Sequence, residues 1–175
     1  HPEVQIAVTG GGTGTGIAAL INGTVDLANA SREISEDERA QAQANGVEPM
    51  EHVVAGDAIA IVVHPSNPVD ALTIPQIADI YAGRITNWQE VGGEDRPIVL
   101  LSRESNSGTH VYFLEAVLRG GREDDDTLFS PDTLLMPSSE GISAEVRRNP
   151  NAIGYDGLAY VTHDQKVVAV SPTAG

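Results

Sequence analysis

Two short runs of glycine and hydroxyl residues each stand between a strand pattern and a helix pattern. They constrain the fold more than any other feature of the chain. The first is Gly10-Gly11-Gly12-Thr13-Gly14-Thr15-Gly16, between the alternating stretch Val4 to Val8 and a helical pattern from about Thr15 to Ile21 that ends at Asn22-Gly23. The second is Ser107-Gly108-Thr109, which follows a strand pattern, Ile98 to Leu101, and Arg103, and opens a helical pattern from Gly108 to Leu118. A strand that turns through glycine directly into a helix is the repeating unit of α/β architecture. The alternation continues along the chain. Val25 to Ala30 reads as a strand, and Ser35 with Glu38 makes a capping box for a helix to Asn45-Gly46. Ala58 to Val63 is a buried strand, and Pro75 to Tyr81 is a helix after Thr73, closed near Gly83. Residues 120 to 131 form a polar loop, Ser139 to Arg148 a helix, and Ala152 to Tyr155 and Val167 to Val170 strands.

The chemistry suggested by the two runs is the same. A helix N-terminus carries unpaired N–H groups and a partial positive charge. Glycine lets an anion reach the backbone, and Ser or Thr adds a hydroxyl donor. Arg103 adds a planar fork of donors that matches an oxyanion. Each run also has a plain reading, as a tight turn or, for Ser107, a simple N-cap. With Arg103 beside them, the two runs together point to a small tetrahedral anion.

Composition removes several classes. The 175 residues carry a net charge of −15. That argues against nucleic acid or an anionic membrane surface as partners, since both need a basic patch. Absent cysteine excludes disulfides and thiolate metal sites. The five histidines form no His-x-x-x-His or His-x-His pair, so no metal site is expected. No nucleophile elbow surrounds Ser107, which argues against a serine hydrolase. The acidic run Glu123 to Asp126 reads as a solvated loop, and Tyr81 and Trp88 as core. The start at His1-Pro2 suggests a processed or trimmed end.

The run Gly10 to Gly16 resembles the phosphate loop of tubulin-like GTPases. That family needs a larger nucleotide domain, and no Walker-type lysine follows the run here. A Rossmann reading is weaker, because Asp26 lies too near to serve as the ribose acid. GTP hydrolysis remains the alternative from another functional class.

Five blocks carry a broader resemblance: GGGTGTGIAALINGTVDLANASREISEDE, DAIAIVVHPSNPV, IADIYAGRITNWQEVGG, LSRESNSGTHVYFLEAVL and NAIGYDGLAYV. In this order and spacing they resemble the phosphate-binding proteins that serve phosphate ABC transporters. The resemblance implies an α/β, periplasmic-binding-protein-like fold of two lobes that closes on inorganic phosphate, without catalysis or cofactor. It implies a monomer, periplasmic or extracellular, with or without a lipid anchor, that delivers phosphate to a membrane permease. Another tetrahedral oxyanion is the alternative ligand. Phosphate binding is expected from Gly12, Thr13, Gly14 and Thr15 on one side, and from Arg103, Ser107, Gly108 and Thr109 on the other.

Two departures stand out. The best-known members have Ala-Ser-Asp after the second strand, where the aspartate accepts a phosphate proton. This chain has Ala30-Ser31-Arg32. Arg32 is expected either at the anion or in a salt bridge. The acceptor role passes to Asp57, with Glu140 next. Secondly, the chain reads as a central portion of the family's sequence. Residues 1–63 are expected in lobe 1, which is partial, 64–166 in a nearly complete lobe 2, and 167–175 in a segment returning toward lobe 1.

Overall fold

The computed structural model describes residues 3–122 and 124–173. His1, Pro2 and Glu123, which entered the sequence reading, lie outside them. The chain forms two compact units: His1–His52 with Asn106–Gly108, and Val53–Ser105 with Thr109–Gly175. Among the described residues no helix is long and apolar enough to cross a membrane.

The first unit holds helices α1 (Thr13–Ile21) and α2 (Glu36–Ala44). Helix α2 begins as its sequence requires. Ser35 Oγ accepts the Glu38 N–H, and the Glu38 carboxylate accepts the Ser35 N–H. The two helices meet through Ile17, Ile21 and Ala42, with Ile34 and Val47 at the margin. The two strands expected here do not form. Val4 to Val8 and Val25 to Ala30 have no ladder, and Val4, Ile6, Val8 and Leu27 are exposed. Alternation marks a face that a sheet could use, but a strand exists only when another strand takes its hydrogen bonds.

The second unit is built on one six-stranded sheet. Its strands are β1 (Ile59–Val63), β2 (Ala71–Thr73), β3 (Val99–Arg103), β4 (Leu134–Met136), β5 (Ala152–Gly157) and β6 (Lys166–Ser171), in the order β2-β6-β1-β5-β3-β4. Strand β1 runs antiparallel to β5 and β6, whereas β3 runs parallel to β4 and β5. Around the sheet lie α3 (Ile74–Tyr81), α4 (Gly108–Phe113), which continues as a π turn over Leu114–Leu118, and α5 (Ser139–Arg148). Strands β2 and β4 are too short to show a period in the sequence.

Both faces of this sheet are covered, so its central strands read as apolar runs. From β1, Ile61 and Val63 enter one cluster with Leu72, Ile77, Ile80, Tyr81, Trp88 and Phe113. Ala60 and Val62 enter the other, with Leu101, Ile142 and Val146. Tyr81 and Trp88 are core, as expected, at 0% and 1% exposure. The Tyr81 hydroxyl reaches the carbonyls of Leu101 (3.1 Å) and Ile153 (3.3 Å), so its polar end is satisfied inside the core.

This division differs from the expected 1–63, 64–166 and 167–175. Strands β1 and β6 both belong to the second unit's sheet. A strand buried on both faces, as β1 is, needs a partner on each edge, and β5 and β6 supply them.

At Gly154 helix α5 packs close against the sheet. A Cβ there would stand 2.5 Å from Ile142 Cγ2 and 3.2 Å from Val146 Cγ2. Gly154→Ala is therefore expected to lower stability by about 1–3 kcal/mol through overpacking. Urea unfolding of the two proteins measures it, and equal midpoints would show that α5 relaxes without cost.

Candidate functional site

Because β3, β4 and β5 are mutually parallel, their carboxyl ends share one end of the sheet, marked by Arg103, Met136 and Gly157. Strand β1 is antiparallel to β5, so Asp57, just before it, lies at that end too. In open α/β sheets this is the end at which ligands bind.

Arg103 is fixed there by backbone and side chain. His110 Nδ1 lies 2.9 Å from the Arg103 carbonyl, and Ser102 Oγ donates to the same oxygen at 3.1 Å. Burial pushes the His110 pKa down, so the ring is neutral at pH 7, and a proton on Nδ1 satisfies that carbonyl. Ser102 Oγ in turn sits 2.6 Å from the Tyr155 hydroxyl, whose pKa burial pushes up to about 12. The guanidinium Nη1 donates to Ser139 Oγ at 3.2 Å and Nη2 to the Pro137 carbonyl at 3.3 Å. Its Nε is buried and has no hydrogen-bond acceptor among the described residues.

Sequence reasoning missed Ser139 and Asp156. Asp156 is 1% exposed on β5 and accepts from the Gly157 N–H (3.0 Å) and from Ser143 Oγ (3.3 Å). Burial raises its pKa, while hydrogen bonds, one of them from Ser139, and the Arg103 charge oppose that rise. The available signal was one carboxylate inside the otherwise apolar run Ala152 to Gly157, every residue of which is buried.

Asp57 is exposed, and its Oδ1 accepts the Ala58 N–H at 2.8 Å. Its other oxygen would lie 3.1 Å from a Cβ placed on Gly157. Thr109 is in the first turn of α4 and half-buried. Glu140 is exposed in the first turn of α5. Its hydrogen bonds, first to its own backbone and then to Ser138, and the Arg103 charge hold its pKa low.

In the first unit the two glycine and hydroxyl runs come together. A Cβ on Gly12 would lie 2.2 Å from the Asn106 carbonyl oxygen, and one on Gly108 2.4 Å from Thr13 Oγ1. Only glycine permits either approach without a shift of backbone or hydroxyl. The Gly14 N–H donates to the Asn106 carbonyl at 3.2 Å. Thr13 and Ser107 are buried, whereas Thr15 is exposed. Thr13 Oγ1 accepts the Ser31 N–H at 3.1 Å, which leaves the hydroxyl proton to donate elsewhere.

Arg32 forms a two-pronged salt bridge. Its Nη1 and Nη2 each stand 2.8 Å from an oxygen of Glu38, and Nη1 also donates to the Glu33 carbonyl at 2.8 Å. The same Glu38 carboxylate completes the cap of α2. The Arg32 hydrogen bond, with those from Ser35, holds the Glu38 pKa at about 2.

A family model described as a PBP superfamily domain matches residues 1–174. The chain is 33% identical to the phosphate-binding protein PstS of Pseudomonas aeruginosa, with 100% of this chain and 56% of that protein aligned. It is 32% identical to PstS of Bacillus subtilis, over 98% and 53% of the two chains. The chain thus spans about half the length of the curated relatives it matches. Among solved structures, a Clostridium perfringens protein crystallised with bound phosphate is 36% identical, with a TM-score of 0.78 over 93% of this chain and 63% of that one. An ABC-type phosphate transport receptor from Vibrio cholerae is 33% identical, with a TM-score of 0.73 over 99% and 69% of the chains.

Glu38 ties pH to stability. Its pKa falls from 4.5 to about 2 on folding, so its contribution is complete above the unfolded value and is lost as pH falls toward 2. Glu38→Gln keeps a capping residue but removes the charge pair with Arg32. The variant is expected to be about 1–3 kcal/mol less stable at pH 7, with the gap closing toward pH 2. Urea unfolding across that range checks this, and a gap independent of pH would refute it.

Proposed function

The chain belongs to the periplasmic-binding-protein (PBP) superfamily, and we propose that the protein it comes from captures inorganic phosphate outside the cytoplasm for an ABC importer. The observation that carries this reading is the meeting of the two glycine and hydroxyl runs. Gly12 and Gly108 allow an approach that gathers the hydroxyls of Thr13 and Ser107 and the starts of two helices in one unit. The relatives described as phosphate-binding, and the similar structure crystallised with phosphate, support phosphate over a nucleotide as the ligand.

In this reading the donors are the backbone and hydroxyls of Gly12, Thr13, Gly14 and Thr15, those of Ser107, Gly108 and Thr109, and the guanidinium of Arg103. The Gly14 N–H shares its proton with the Asn106 carbonyl, so Thr13 and Thr15 carry more of the first loop's contribution. Arg32 stays with Glu38 and shapes the neighbouring backbone. No bond is made or broken. The site replaces the anion's hydration with fixed dipoles, which act at contact distance despite the net charge of −15 because distant charges are screened. The second unit corresponds to a nearly complete lobe 2 and the first to part of lobe 1. The receptor works as a monomer handing its ligand to a membrane permease.

Discrimination from sulfate falls to Asp57. An ionised carboxylate accepts a hydrogen bond from P–OH and repels a fully deprotonated sulfate oxygen. Its place beside Gly157, at the sheet end that holds Arg103, supports this role.

Calorimetry of the full-length protein tests both parts. Arg103→Ala should weaken phosphate binding by about 2–5 kcal/mol, the scale of a charge partner lost from a desolvated site. Parental affinity in that variant would move the site elsewhere. Asp57→Asn should lower the preference for phosphate over sulfate by roughly tenfold, about the value of one charge-assisted hydrogen bond. An unchanged preference would rule Asp57 out and leave Glu140 as the acceptor.

A further inference from the structure

Asp156 is a carboxylate in a strand that offers it no water, at 1% exposure. Such a group persists only where donors replace its hydration. Two do so at hydrogen-bond distance, the Gly157 N–H at 3.0 Å and the Ser143 hydroxyl at 3.3 Å, and the Ser139 hydroxyl, one turn before Ser143 on α5, opposes the rise of the Asp156 pKa with them. The direction of each bond follows from the chemistry of the groups. Gln165 Nε2 donates to Ser143 Oγ at 3.1 Å, so the Ser143 proton turns to Asp156. Arg103 Nη1 donates to Ser139 Oγ at 3.2 Å, and a guanidinium has no lone pair to accept in return. That leaves the Ser139 proton free for Asp156, whose pKa it helps to hold down. Ser143 thus accepts from Gln165 and donates to the carboxylate, while Ser139, on the same helix, accepts from the cation and keeps its proton for that carboxylate.

The intervening hydroxyl matters. A carboxylate forked directly onto Arg103 would occupy the donor pair best shaped for a tetrahedral anion. With Ser139 in between, Arg103 is oriented while its buried Nε keeps no acceptor among the described residues. Glu140 also acts on Arg103, but it is exposed, and solvent screens it.

We propose that Asp156 is a positioning residue for Arg103, whose buried carboxylate, acting through Ser139, fixes the guanidinium so that its remaining N–H groups face an incoming phosphate. The proposal rests on the phosphate reading for its ligand, but not for the hold of Asp156 on Arg103.

Two measurements on the full-length protein test it. The first is a phosphate-binding cycle by calorimetry. Asp156→Asn should weaken binding about tenfold or more in the parent and less than about twofold in an Arg103→Ala background, because coupled residues are not additive. Ser139→Ala, which removes only a hydroxyl, should weaken binding by roughly threefold to tenfold in the parent. Equal losses in both backgrounds, or parental affinity in either single variant, would overturn the proposal. The second measurement needs no ligand. The Arg103 Nε–H signal in 15N NMR should exchange with water faster in Asp156→Asn and in Ser139→Ala than in the parent. Unchanged exchange in Ser139→Ala would overturn the relay even if Asp156→Asn failed to fold. A parent that binds no phosphate would sink the phosphate reading, and the NMR comparison would still decide whether Asp156 holds Arg103.

Discussion

The sheet of the second unit is covered on both faces, and most of that unit's organisation follows from this. Strands β1 and β5 send alternate side chains into two separate apolar clusters, so neither has a wet side. A polar group in these strands, or packed against them, must then be satisfied by protein. The Tyr81 hydroxyl finds the Leu101 and Ile153 carbonyls, and the Tyr155 hydroxyl finds Ser102. Asp156 finds serine hydroxyls and a backbone N–H. Buried polarity thus gathers toward the carboxyl ends of β3 and β5, where the strands give way to loops. Arg103 stands at that transition, held by its carbonyl on one side and its guanidinium on the other.

The first unit depends on local geometry more than on a large core. Its apolar contacts are few: Ile17, Ile21 and Ala42, with Ile34 and Val47 beside them. What orders it is hydrogen bonding with specific backbone demands. Ser35 and Glu38 start α2, Arg32 locks the same carboxylate, and Gly12 and Gly108 permit close approaches, to the Asn106 carbonyl and to the Thr13 hydroxyl, that a Cβ would crowd. Val4, Ile6, Val8 and Leu27 remain exposed.

On the proposed reading as a receptor of a small anion, the arrangement separates two tasks. Donors that touch the ligand must keep free hydrogen-bonding capacity, while the groups that hold them must be fully satisfied. Thr13 illustrates the first: it accepts from Ser31 and retains a proton to give. Ser102 with His110, and Ser143 with Asp156 and Gln165, illustrate the second, each bonded to another inside the second unit. A site whose supporting shell is rigid loses little entropy when the ligand arrives.

Much of this was legible in the sequence wherever the physics is local. The capping box at Ser35 and Glu38, the Thr73 cap before α3, the apolar β1 and the helix opening at Gly108 rest on short-range patterns, and each forms close to where it was read. The glycine and hydroxyl runs and Arg103 were visible for the same reason. Pairing was not legible, because a strand's partner lies elsewhere in the chain. Val4 to Val8 alternates without becoming a strand, whereas the three-residue β2 and β4 become strands by adding to β6 and β3. Nor could sequence say which groups hold Arg32 and Arg103, two arginines of identical chemistry. One meets Glu38 six residues away, while the other is held by Ser139 and Pro137 more than thirty residues on. The sequence by itself determined the α/β alternation, the caps and the two glycine and hydroxyl runs, since those depend on neighbours along the chain. Only the tertiary structure decided which strands exist, which arginine pairs with a carboxylate and which carboxylate is buried in the sheet, since those depend on residues that the fold brings together.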